Sequence, residues 1–65
     1  MNAREVMECM EFLRTAQDGQ WAYNCGRTVE VVDMVGGRYL LTDENGDVDG
    51  LTFSVEQAVK YLMEA

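Results

Sequence analysis

The dipeptide Asn45-Gly46 limits what this chain can fold into more than any other feature. A two-residue hairpin turn of type I′ needs two consecutive positive φ angles, which asparagine and glycine tolerate and most residues resist. Arg38 to Glu44 and Asp47 to Thr52 are therefore expected to pair as antiparallel strands, although Asp49 and Gly50 are poor strand residues. Upstream, Thr28 to Val35 is rich in β-branched residues, and Gly36-Gly37 offers a second two-residue turn into Arg38 to Asp43. Gln20 to Cys25 alternates, with Trp21, Tyr23 and Cys25 on one side, and Asn24-Cys25-Gly26 provides the turn that follows it.

Both ends of the chain read as helices. From residue 3 to 17, Ala3, Val6, Met7, Cys9, Met10, Leu13 and Ala16 fall on one arc at 3.6-residue spacing, with Phe12 off the stripe and partly exposed. Asn2 is the expected N-cap with Glu5 in the capping-box position, and Asp18-Gly19 ends the segment. Ser54 opens the last helix through a capping box with Gln57, and Val55, Ala58, Val59 and Leu62 form its apolar stripe. The fold class expected is α+β, in the order α-β-β-β-(β)-α, with an antiparallel meander packed by the two terminal helices. Two tight turns would put Val32, Met34, Tyr39, Leu41 and Val48 on one sheet face and Val29, Val31, Val35, Leu40, Leu51 and Phe53 on the other. Both faces are then partly apolar, and either two helices cover both or one face is left for a partner or a second copy.

At 65 residues the chain is expected to be a single domain over 1–65, near the lower limit for a fold held by a hydrophobic core alone. Its apolar fraction of 48% is too high for a disordered acidic tail. Twelve Asp and Glu against five Lys and Arg leave a formal charge of −7. Such an excess opposes direct binding to DNA, RNA or an anionic membrane and favours a cationic partner. No stretch approaches the roughly 20 apolar residues of a membrane span. No signal peptide is expected, because Arg4, Glu5, Glu8 and Glu11 interrupt the amino-terminal segment. The compartment expected is a reducing cytoplasm, with Cys9 and Cys25 as two buried thiols on packed elements in preference to the alternative, a disulfide between them.

Catalysis finds little equipment here. With no histidine, neither a Ser-His nor a Cys-His nucleophile pair can be assembled. The glycines fit neither a phosphate-binding loop nor a dinucleotide fingerprint. Asn45, Asp47, Asp49, Gly50 and Glu56 do match the spacing of an EF-hand calcium loop. That match has Asn where the loop wants Asp, a strand where it wants an entering helix, and no second hand to pair with. No enzyme activity, cofactor or metal is expected.

What remains is an acidic surface, dense between Asp43 and Asp49, with Glu30 and Asp33 on the neighbouring strand. Residues two apart on a strand face lie roughly 6.5 to 7 Å apart, close to the spacing of successive phosphates, so a carboxylate row can imitate a nucleic-acid strand. The candidate partner-binding residues are Asp43, Glu44, Asp47 and Asp49, extended by Glu30 and Asp33. In size, net charge, compact α-β-β-β-α order and the cluster Asp43-Glu44-Asn45-Gly46-Asp47-Val48-Asp49, the chain resembles the small acidic anti-CRISPR proteins of phages that mimic DNA. The likeness spans the chain through these properties rather than through a signature motif. It implies an inhibitor in the bacterial host cytoplasm that occupies a DNA-binding surface of the type I effector Cascade, such as the site reading the protospacer-adjacent motif, and blocks target recruitment.

A second reading uses apolar surface instead. A protein-protein interaction or homodimerising module would dock through an exposed sheet face, with Trp21, Tyr23, Phe12 and Tyr61 as anchors. As a monomer or a homodimer, either module binds protein.

Overall fold

The computed structural model describes residues 2–65. Helix α1 spans Ala3–Thr15, strands β1 to β4 span Trp21–Asn24, Arg27–Asp33, Arg38–Thr42 and Val48–Thr52, and helix α2 spans Val55–Met63. The strands form one antiparallel sheet in the order β1-β2-β3-β4, so the fourth strand is complete despite Asp49 and Gly50. Both helices start as their capping residues dictate. Asn2 accepts from the Glu5 N–H at 2.9 Å, and Ser54 accepts from the Gln57 N–H at 3.3 Å.

Both helices lie on the same face of the sheet. Helix α2 packs against all four strands, and α1 packs chiefly against α2 and the edge strand β1. The fold has two layers, and its shortest principal extent is 16 Å. Between the layers sits a core of Leu13, Ala16, Val29, Val31, Tyr39, Ala58, Val59 and Leu62, with no buried polar or charged residue among those described. Of α1, Leu13 alone is buried in this core, with Val6, Cys9 and Met10 packed against it. The helix ends at Thr15 rather than 17, and Met7, expected on its apolar arc, is 68% exposed.

The expected division of apolar residues between the sheet faces is wrong, and the turns show why. Cross-strand pairing sets Val31 opposite Tyr39 and Val29 opposite Leu41, which places all four on the helix-covered face. Gly36-Gly37 does not form a two-residue turn. Residues 34–37 make a four-residue loop, in which Asp33 Oδ1 accepts from the Gly36 N–H at 2.9 Å, and a bulge lies between Val31 and Asp33. That shift in register carries Tyr39 and Leu41 to the opposite face.

The second hairpin departs in a similar way. Asp43 pairs with Asp47 across a three-residue loop whose last member, Gly46, has φ +82°. Asp43 Oδ1 accepts from the N–H groups of Asn45 and Asp47, at 2.9 and 3.0 Å. This side-chain acceptor favours the longer loop over the type I′ turn. A second bulge follows, because Val48 pairs with Thr42 and Gly50 with Leu41, leaving Asp49 without a partner.

The two-residue loop is the one at Cys25-Gly26, between Asn24 and its partner Arg27, with φ of +49° and +91°. Cys25 therefore sits exposed at a turn apex, not buried on a strand as expected, while Cys9 is half-buried and its thiol pKa is raised by burial. A β-carbon in the left-handed region costs about 1 kcal/mol, and asparagine tolerates it best among non-glycine residues. Cys25→Asn is expected to raise stability by about 0.5–1 kcal/mol in urea denaturation. Unchanged or lower stability would mean that the turn carries no such strain.

Candidate partner-binding site

The β3–β4 hairpin collects four of the six candidate acids within seven residues. Asp43, half-buried at the foot of the loop, spends one carboxylate oxygen on two backbone N–H groups. Glu44 turns back across the sheet to Arg27, whose Nε donates to Oε1 at 2.8 Å. That bond, helped by its own backbone N–H, holds the Glu44 carboxyl below the usual range. Asp47 and Asp49 are exposed. They do not continue one regular strand face, because Asp47 precedes β4 and Asp49 is the bulged residue. The expected ladder of carboxylates at phosphate spacing is therefore broken at this point. On α2, burial pushes the Tyr61 phenol pKa up, and the negative charge of Asp49 adds to the shift. The Tyr61 hydroxyl is buried with no hydrogen-bond partner among the described residues.

The two flanking acids part company. Asp33 caps the 34–37 loop and faces Arg38, with 3.8 Å between Oδ2 and Nε. Glu30 lies on the sheet face away from the helices, opposite Trp21 on β1 and Leu40 on β3.

Charge pairing explains what the surface offers. Each of the five Lys and Arg residues has one acidic partner within 4 Å: Arg4 with Glu8, Arg14 with Glu56, Arg27 with Glu44, Arg38 with Asp33, and Lys60 with Glu64. Twelve acids less these five leave seven with no cation within 4 Å among the described residues, namely Glu5, Glu11, Asp18, Glu30, Asp43, Asp47 and Asp49. Three of the seven belong to the hairpin. Negative charge is therefore concentrated at one corner of the sheet.

The calcium-loop spacing does not close on itself. Glu56 accepts from Arg14 at 3.2 Å and from the Ser54 hydroxyl at 2.9 Å, and no group of three or more acids or thiols converges as a metal site among the described residues. Nor is any described helix long and apolar enough to cross a membrane.

Beside the hairpin, the helix-free face of the sheet presents an apolar surface that the expected registers misassigned. Pairing lines up Trp21, Glu30, Leu40 and Leu51 across all four strands, and Tyr23, Thr28, Thr42 and Val48 in the next row. Beyond them the Phe53 ring stacks under Arg38, 5.7 Å from guanidinium carbon to centroid. Trp21, Tyr23, Leu51 and Phe53 are 59%, 64%, 56% and 70% exposed. The signal for this arrangement was Asp33 preceding the glycine pair, since an aspartate that can cap a loop favours a longer one. Comparison with protein-family models, curated proteins and solved structures finds no match.

Proposed function

We propose that this chain is a non-enzymatic binding protein that occupies a basic, nucleic-acid-receiving surface of a partner complex. The DNA-binding surface of a Cascade-type CRISPR effector is the target, as the resemblance to acidic anti-CRISPR proteins suggests. The observation that carries the reading is the hairpin charge. Asp43 and Asp47 frame a loop held by its own hydrogen bonds, Asp49 follows as the bulged residue of β4, and none of the three has a cation within 4 Å in a chain whose every Lys and Arg is already engaged. A basic groove attracts such a corner as it attracts a polyanion, and loop rigidity lowers the ordering cost of binding. The broken carboxylate ladder makes this mimicry one of charge concentration rather than of phosphate spacing.

The test is competition between the purified chain and a target duplex for a purified Cascade complex, read by mobility shift. The chain is expected to displace DNA at near-stoichiometric amounts, and to weaken by about tenfold or more between about 50 and 500 mM salt. A variant carrying Asp43→Asn, Asp47→Asn and Asp49→Asn is expected to lose the competition, since an asparagine amide in place of Asp43 keeps the acceptor oxygen of the turn while losing its charge. DNA binding untouched by excess chain, or equal competition by the variant, would sink the reading.

A further inference from the structure

We propose that the helix-free sheet face docks a protein surface that is itself apolar and carries one arginine or lysine placed to meet Glu30. This deepens the preceding proposal by specifying the partner's chemistry, and it rests on that partner being basic. Trp21, Tyr23, Leu51 and Phe53 are more than half exposed on a face that neither helix covers, and aromatic residues are the usual anchors of interfaces. At the centre of this apolar field stands one carboxylate. Glu30 is flanked across the strands by Trp21 and Leu40, and no cation lies within 4 Å of it among the described residues. Arg38, the one cation on the face among the described residues, is committed to Asp33 and the Phe53 ring.

Charge selects the occupant. A second copy would bring another Glu30, no uncommitted Lys or Arg and a further −7 of charge, so self-docking desolvates like charges against each other. An anionic membrane or a nucleic acid meets the same repulsion. A partner that covers the apolar rows and supplies one guanidinium removes the penalty, because its charge-assisted hydrogen bond replaces the water lost from Glu30. The outer row ends at Val48, next to Asp47, so the helix-free face runs up to the hairpin.

The single tryptophan makes the idea measurable, since Trp21 reports burial of this face through its fluorescence. The probes are three amphipathic peptides of matched apolar content, whose one central polar residue is Arg, Gln or Glu. The Arg peptide is expected to blue-shift Trp21 emission saturably and to perturb the amide resonances of Glu30, Leu40 and Leu51. It should bind about tenfold more tightly than the Gln peptide, with the Glu peptide weakest. Glu30→Gln is expected to abolish the Arg-over-Gln preference while leaving the fold intact. Leu51→Ala, read by the same resonances, should weaken all three peptides. Perturbations confined to residues 43–49 would overturn this proposal and leave the electrostatic reading standing. Arg-selective docking on the face by a chain that fails to compete with DNA for Cascade would do the reverse. Sedimentation as a dimer with Trp21 already buried would make a second copy the occupant and overturn the proposal.

Discussion

Leu62→Ala is expected to remove about 2–5 kcal/mol of stability and to leave a large share of the chain unfolded at room temperature. Leu62 is 1% exposed, on the face of α2 turned toward the sheet, and it is among the largest side chains in a core of only eight buried residues. With no buried polar network among the described residues to lock the arrangement, the walls of such a core hold their shape through packing alone. The truncation therefore costs transfer energy and leaves a cavity. Domains of this length hold only about 3–10 kcal/mol in total, so one such change takes much of it. Urea denaturation should show a lower midpoint with an unchanged slope. Leu51→Ala is the internal comparison. That leucine is 56% exposed on the helix-free face, and its loss is expected to cost less than about 1 kcal/mol. Equal losses at the two positions would mean that the sheet face bearing Leu51 is covered in solution.

The contrast between these two leucines marks where the amino-acid sequence could be read directly and where it could not. Local rules found the elements. Asn2 with Glu5 and Ser54 with Gln57 begin the helices, and alternation with punctuating glycines separates the strands in order. Face assignment is less local, because it depends on loop length to the residue. Gly36-Gly37 and Asn45-Gly46 announce turns without saying how many residues each contains. Asp33 and Asp43 lengthen both loops by accepting backbone N–H groups. One shift in register then moves Tyr39 and Leu41 into the core and leaves Leu40 on the open face with Leu51. The acidic cluster is legible because it is contiguous in the chain. Its partial neutralisation is not, since Arg27 and Glu44 lie 17 residues apart and meet only once the sheet has formed.

That meeting point supports the second large effect. Arg27→Met is expected to lower the melting temperature more than methionine at any of the other four Lys and Arg positions. Those four make surface pairs at 3.2 to 3.9 Å, and pairs of that kind contribute little. Arg27 ties three elements together. Its Nε donates to Glu44 at 2.8 Å, a terminal nitrogen donates to the Tyr61 carbonyl at 2.9 Å, and the guanidinium lies 4.5 Å from the Tyr61 ring centroid. The last carbonyls of a helix lack partners within it, and here Arg27 serves Tyr61 while Asn24 donates to the Leu62 carbonyl at 2.7 Å. A positive charge also suits the negative end of the α2 dipole. Arg27→Lys keeps that charge but cannot fork toward both acceptors, so it should recover only part of the loss. Acid titration gives an independent readout. Because Arg27 lowers the Glu44 pKa in the folded chain, this contribution is present above the unfolded value of about 4.3 and is lost as pH falls through the folded one. Arg27→Met should lack that part of the acid-side decline. It also frees Glu44 beside Asp43, Asp47 and Asp49, so the folded fraction of the variant should bind a basic groove more tightly while being less stable. A variant as stable as the parent would show that Glu44 and the α2 terminus hold their places without the arginine.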